Sequence, residues 1–138
     1  MEGYLLTYPA FALIFLTLFL YVKNRIDAKG AYQSKEIAPS YFKTYQGKAP
    51  HYLETSRQTL KNQFELPVIF YFYILLLMDF ETISIWELIL CWLFSISRYL
   101  HAYIRLSSNN VPYRAMVFTF GFFIICILSI DILIKISI

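Results

Sequence analysis

The chain has 138 residues, of which 59% are hydrophobic, 20% aromatic and only 15% charged. A water-soluble domain of this length carries far more charge, so the composition excludes an ordinary soluble protein and points to a single membrane domain spanning residues 1–138. The formal net charge of +3 does not imply nucleic acid as a partner, because its distribution along the chain is better explained by membrane topology.

The first element runs from Tyr4 to Val22, nineteen residues without a formal charge. As a helix it is roughly 28 Å long, close to the hydrocarbon thickness of a bilayer. A cleaved signal peptide is the competing reading. It is disfavoured because Glu2 precedes the apolar run, where a signal carries Lys or Arg, and because the run is long for a signal core.

A polar stretch follows over residues 23–50, with Gly30, Pro39, Gly47 and Pro50 set among lysines and tyrosines. Glycine and proline argue against one long helix here. Tyr32, Tyr41, Phe42, Tyr45 and Tyr52 suit a segment lying at headgroup level. Eight basic residues, from Lys23 to Lys61, fall between the first and second apolar segments, whereas the link after the second carries Asp79, Glu81 and Glu87 and no basic residue. Basic loops stay cytoplasmic, so the long loop is expected inside and both termini outside.

The second helix is expected over 51–78. Only Leu66–Met78 is continuously apolar, and Pro67 marks the entry to lipid and a possible kink. A short turn at Asp79–Thr82 leads to a third helix over 83–106. Ser107–Val111 turns into a fourth over 112–136, with Pro112 in its first turn. The expected fold is therefore an all-α integral membrane bundle of four transmembrane helices. Cys91 and Cys126 lie inside apolar runs and read as small buried hydrophobes, not a disulfide, and no Cys/His spacing suits a metal.

Two polar clusters interrupt this pattern. Gln58, Lys61, Asn62 and Glu65 recur at i, i+3, i+4 and i+7, so a continuous helix presents them on one face, with Arg57 beside it. Arg98, His101 and Arg105 repeat the spacing in the third helix, and Arg114 opens the fourth. Ionisable groups in a membrane are costly unless paired, so they mark a candidate site. Each also has a plainer reading. Arg105 and Arg114 can snorkel to headgroups, and Lys61 can be interfacial. Glu65 and Arg98 can form a structural ion pair, His101 can be a packing residue, Asn62 can bond a neighbouring helix, and Asp131 can be interfacial. Taken together, converging arginines with one glutamate and an amide suit a small zwitterionic or anionic ligand. Glutathione fits in kind, its carboxylates pairing with arginines and its amine with a glutamate.

The run Asn62-Gln63-Phe64-Glu65-Leu66-Pro67 resembles the Asn-x-x-Glu and following proline of helix two in the MAPEG family, the membrane-associated proteins in eicosanoid and glutathione metabolism. Arg98-Tyr99-Leu100-His101-Ala102 is similar to that family's Arg-x-x-His-[Thr/Ala], and Arg114-Ala115 follows at the family's spacing. The resemblance implies a homotrimer of four-helix protomers embedded among membrane lipids, with glutathione sites between subunits near the cytoplasmic face. It implies a glutathione-dependent transferase or peroxidase acting on lipophilic electrophiles. Arg114 matches the arginine that stabilises the thiolate. Asn62, Glu65, Arg98 and His101 match ligand or structural positions, and Arg57, Lys61, Arg105 and Arg25 are the further cations offered to the ligand.

The chain departs from the animal enzymes at Gln58, where they carry arginine, with Arg57 displaced by one position; at Arg105, where they carry tyrosine; and at Ala115, where one of them carries serine. The run from Gln63 to Tyr71 looks most like a divergent bacterial branch, which implies a bacterial inner membrane. These departures keep a second reading open: a non-catalytic bundle that binds a lipid or a partner protein. A small transporter is disfavoured because the clusters lie toward one side of the membrane and not at its centre.

Overall fold

The structure is a computed structural model in which residues 2–80 and 83–137 are described. Among them every regular element is helical: α1 (Thr7–Gln33), α2 (Tyr41–Thr44), α3 (His51–Lys61), α4 (Leu66–Asp79), α5 (Ile85–Leu106) and α6 (Val111–Ser137), with 3-10 turns at Gly3–Leu6 and Asn62–Phe64. The link expected at Asp79–Thr82 falls partly on Glu81 and Thr82, which lie outside the described residues.

Three helical stretches, Gly3–Gln33, His51–Asp79 and Val111–Ser137, are long and apolar enough to cross a membrane. Only 33% of the most apolar window of each is buried in the chain. The rest is an outward surface of large apolar side chains such as Phe11, Phe15, Phe72, Leu75, Ile130 and Leu133, an arrangement that water would not tolerate and lipid favours. Helix α5 is 22 residues long, roughly 33 Å, but it carries Glu87, Arg98 and Arg105. Two of those charges, Glu87 and Arg98, are buried against the bundle, so the outward face of α5 is apolar.

The core is shared by α1, α4, α5 and α6 around Leu13, Leu20, Phe70, Leu77, Phe94 and Leu128. Lipid is as apolar as these side chains, so close packing and interhelical hydrogen bonds hold the helices together. Ser95 Oγ donates to the Pro9 carbonyl at 2.9 Å and Tyr99 Oη to the Ala12 carbonyl at 2.6 Å, which fastens α5 to α1. Tyr73 and Ser129 share a hydrogen bond of 2.7 Å between α4 and α6. Gly121 lets α6 approach α5: a Cβ there would stand 2.9 Å from Ser97 Oγ. Both cysteines are free, Cys91 buried and Cys126 partly so.

Two elements differ from the sequence expectation. Helix α1 continues eleven residues past Val22, through Gly30 to Gln33. A mid-helix glycine costs only about 1 kcal/mol, and the extension is held by a small second core of Ala31, Ile37, Tyr41 and Leu53. Tyr41 is accordingly buried in that core. The second helix is not continuous. It stops at Lys61, makes a 3-10 turn and restarts at Leu66, with Glu65 at φ −102° and ψ −108° between the halves. Pro67 explains the break, because its ring clashes with the carbonyl four residues back, at Gln63, and it offers no N–H to continue the ladder.

The candidate ligand site

One end of the bundle gathers most of the polar residues singled out in the sequence. There α5 ends at Leu106, and Asn109, at φ 48°, turns its N–H back to the Ile104 carbonyl at 2.8 Å. Asparagine tolerates this left-handed conformation better than most residues. Asn110 Oδ1 accepts from the Tyr113 N–H at 3.2 Å and so opens α6. These two turns place Arg114 in the first turn of α6 beside Arg105 in the last turn of α5.

Neither arginine is loose. Arg105 Nη2 donates to Gln58 Oε1 of α3, and Arg114 Nη1 donates to Asn109 Oδ1. Gln58 and Arg105, two of the departures read from the sequence, therefore contact each other: a guanidinium on α5 reaches an amide on α3.

Deeper in the bundle lies Arg98, 0% exposed, with no hydrogen bond to any of its three guanidinium nitrogens. Its closest aromatic partner is Phe118 of α6, with the guanidinium carbon 5.4 Å from the ring centroid. His101 is 2% exposed, packs against the same ring at 5.9 Å, and leaves Nδ1 unpaired. Gln63 is 1% exposed, with both side-chain amide atoms unpaired. Such groups cost several kcal/mol unless something satisfies them. The carboxylate of Glu65 acts on Arg98 and Arg105 through space, and His101 lies in the fields of Arg98, Arg105 and Arg114. Glu65 itself is exposed and makes no ion pair with Arg98; the ion pairs among the described residues are Lys23–Asp27 and Lys135–Glu87.

Arg25, Arg57 and Lys61 stand apart from this group, in a cavity of about 620 Å³ between α1, α2 and α3 that also takes in Tyr21, Asn24 and Phe64. Arg57 is partly committed to the fold. Its Nη1 donates to Tyr41 Oη at 3.1 Å and to the Tyr45 carbonyl at 3.0 Å, and its guanidinium carbon lies 5.8 and 5.2 Å from the two ring centroids. The sequence-selected cations thus fall into two groups on one end of the protomer. Asn62, half-buried, sits where α3 gives way to the 3-10 turn.

Sequence reasoning overlooked Gln63, Asn109 and Phe118. Gln63 lies between the motif residues Asn62 and Glu65 but off their shared face, in the buried row of Ser56, Thr59, Gln63, Pro67 and Phe70. Asn109 and Phe118 are identified by their contacts with Arg114 and Arg98 alone. Among the described residues no group of His, Cys, Asp and Glu could hold a metal ion.

The fold and the placement of these groups define a multi-pass, all-helical membrane protein with its charged residues concentrated at one end. The chain belongs to the MAPEG family, whose family model matches residues 5–134. No curated protein and no solved structure matches the chain.

Proposed function

We propose that the chain is the subunit of a membrane enzyme that binds glutathione and uses it to conjugate or reduce lipophilic electrophiles. The observation that carries this reading is Arg98, enclosed with unpaired donors at the end of the bundle where Arg25, Arg57, Lys61, Arg105, Arg114 and the carboxylate of Glu65 also lie. That balance suits a ligand with two carboxylates and one amine. Arg98, Arg105 and Lys61 would take the carboxylates, Glu65 the amine, and Asn62 and His101 would fix orientation by hydrogen bonding. Arg114, preset by Asn109, would favour the thiolate, which is the nucleophile.

The division of cations into two groups supports a homotrimer. Arg25 and Arg57 lie on the α1–α3 side, whereas Arg98, His101, Arg105 and Arg114 belong to α5 and α6. A site between subunits would let the α1 side of one protomer complete the α5–α6 side of its neighbour. In this reading α5 also crosses the membrane, which brings the transmembrane helices to four. The loop before α3 lies in the cytoplasm of a bacterial cell, both termini lie outside the inner membrane, and the lipophilic substrate arrives from the bilayer.

One observation favours the alternative of a non-catalytic bundle: Arg105 and Arg114 are each already hydrogen-bonded within the chain. Turnover separates the two. With a model electrophile, Arg114→Ala is expected to lower turnover by about 10²–10³ while the oligomer stays intact, the loss typical of removing one charge-stabilising donor. Wild-type protein that binds glutathione yet never consumes it would support the bundle reading.

A further inference from the structure

The outer face of α1 near Gln33 carries a second feature. Arg25, Ala28, Lys29, Tyr32, Pro39 and Phe42 enclose a cleft of about 400 Å³ between α1 and the segment leading into α2. Next to it, Tyr21, Val22 and Ile26 form with Arg25 a groove of about 360 Å³. Val22, Arg25, Ile26, Lys29 and Tyr32 are related by three- and four-residue spacings, so cleft and groove lie on one stripe of the helix. Along that stripe apolar and cationic side chains alternate, Val22, Arg25, Ile26 and Lys29, ending at the aromatic Tyr32, an order that sets cations beside apolar surface as a lipid's headgroup lies beside its acyl chains.

The charges agree with that order. No carboxylate lines either cavity. Arg25 and Lys29 make no ion pair or hydrogen bond among the described residues, whereas nearby Lys23 is paired with Asp27 at 2.8 Å. The rings of Tyr32 and Phe42, 6.3 Å apart, form the aromatic rim expected at the membrane–water boundary. We propose that this stripe binds an anionic membrane lipid, its phosphate held by Arg25 and Lys29 and an acyl chain lying in the groove beside Val22 and Ile26.

Lys29 and Tyr32 line this cleft and not the larger cavity of Arg57 and Lys61, so Lys29 separates the proposal from the glutathione reading. The test counts lipids retained by the purified protein in native mass spectrometry, from micelles doped with phosphatidylglycerol or with phosphatidylcholine of the same chains. Phosphatidylglycerol is expected to be retained about tenfold better, and Lys29→Glu to abolish that preference while thermal stability in undoped micelles is unchanged. Inorganic phosphate at millimolar concentration is expected not to displace the lipid. Equal retention of the two lipids would overturn the proposal, as would a preference that survives Lys29→Glu. Displacement by inorganic phosphate would replace the lipid with a free anion. A change of oligomeric state in Lys29→Glu, with no dependence on lipid, would assign the cleft to a neighbouring copy. Glutathione titration of the same variant reports on the larger cavity separately.

Discussion

The two ends of the bundle treat their charges in opposite ways. At the end where Gly3 meets Met78, Glu87 is buried and both of its oxygens are engaged. Ser84 donates to Oε2 from its backbone N–H at 2.6 Å and from its hydroxyl at 2.9 Å, and Lys135 of α6 reaches Oε1 at 2.5 Å. Ser84 Oγ accepts from the Glu87 N–H in return, completing a capping box at the start of α5. At the other end Arg98, His101 and Gln63 are equally buried and find no such partners. The difference is that the Glu87 carboxylate is capped and ion-paired, whereas Arg98, His101 and Gln63 keep unpaired side-chain atoms.

That contrast can be broken by mutation. The largest effect is expected at the closed end. Glu87→Ala removes the buried carboxylate that Lys135 reaches and opens the capping box, and should lower unfolding stability by about 3 kcal/mol in a denaturation assay in micelles. Glutathione binding by whatever fraction remains folded should be unchanged. At the open end Arg98→Met removes a buried charge that has no hydrogen bond to lose. Its stability should be equal to wild type or higher by about 1–4 kcal/mol, with ligand binding abolished. A marked loss of stability there would mean that Arg98 is structural and would erase the contrast. The smallest effect belongs to the exposed contact between the ends of α3 and α5. Gln58→Ala should cost about 0.5–1.5 kcal/mol and show mainly as weaker glutathione affinity once Arg105 is released.

The helical membrane character and the clustering of Arg98, His101 and Arg105 were legible in the sequence, because helical periodicity does not depend on tertiary detail. The details that need three dimensions were not legible. Gly30 looked like a breaker, yet α1 runs through it because Ala31 finds Tyr41 and Leu53 to pack against. Pro67 was read as a kink within one helix. Its steric demand instead interrupts the helix from Asn62 to Glu65. Lys135 gave no sign that it would pair with Glu87, since α5 and α6 run antiparallel and the partners lie more than forty residues apart. The contact between Gln58 and Arg105 was hidden for the same reason: each looked like a separate departure until the fold joined them.

The central claim is that the open end is completed by a glutathione-like ligand. It is tested most directly by calorimetric titration of glutathione into the detergent-solubilised wild-type protein, with Arg98→Met and Glu65→Ala measured alongside. The account predicts saturable binding to wild type that both variants lose while remaining folded. Absence of binding to folded, oligomeric wild-type protein, or binding that survives Arg98→Met unchanged, would contradict it.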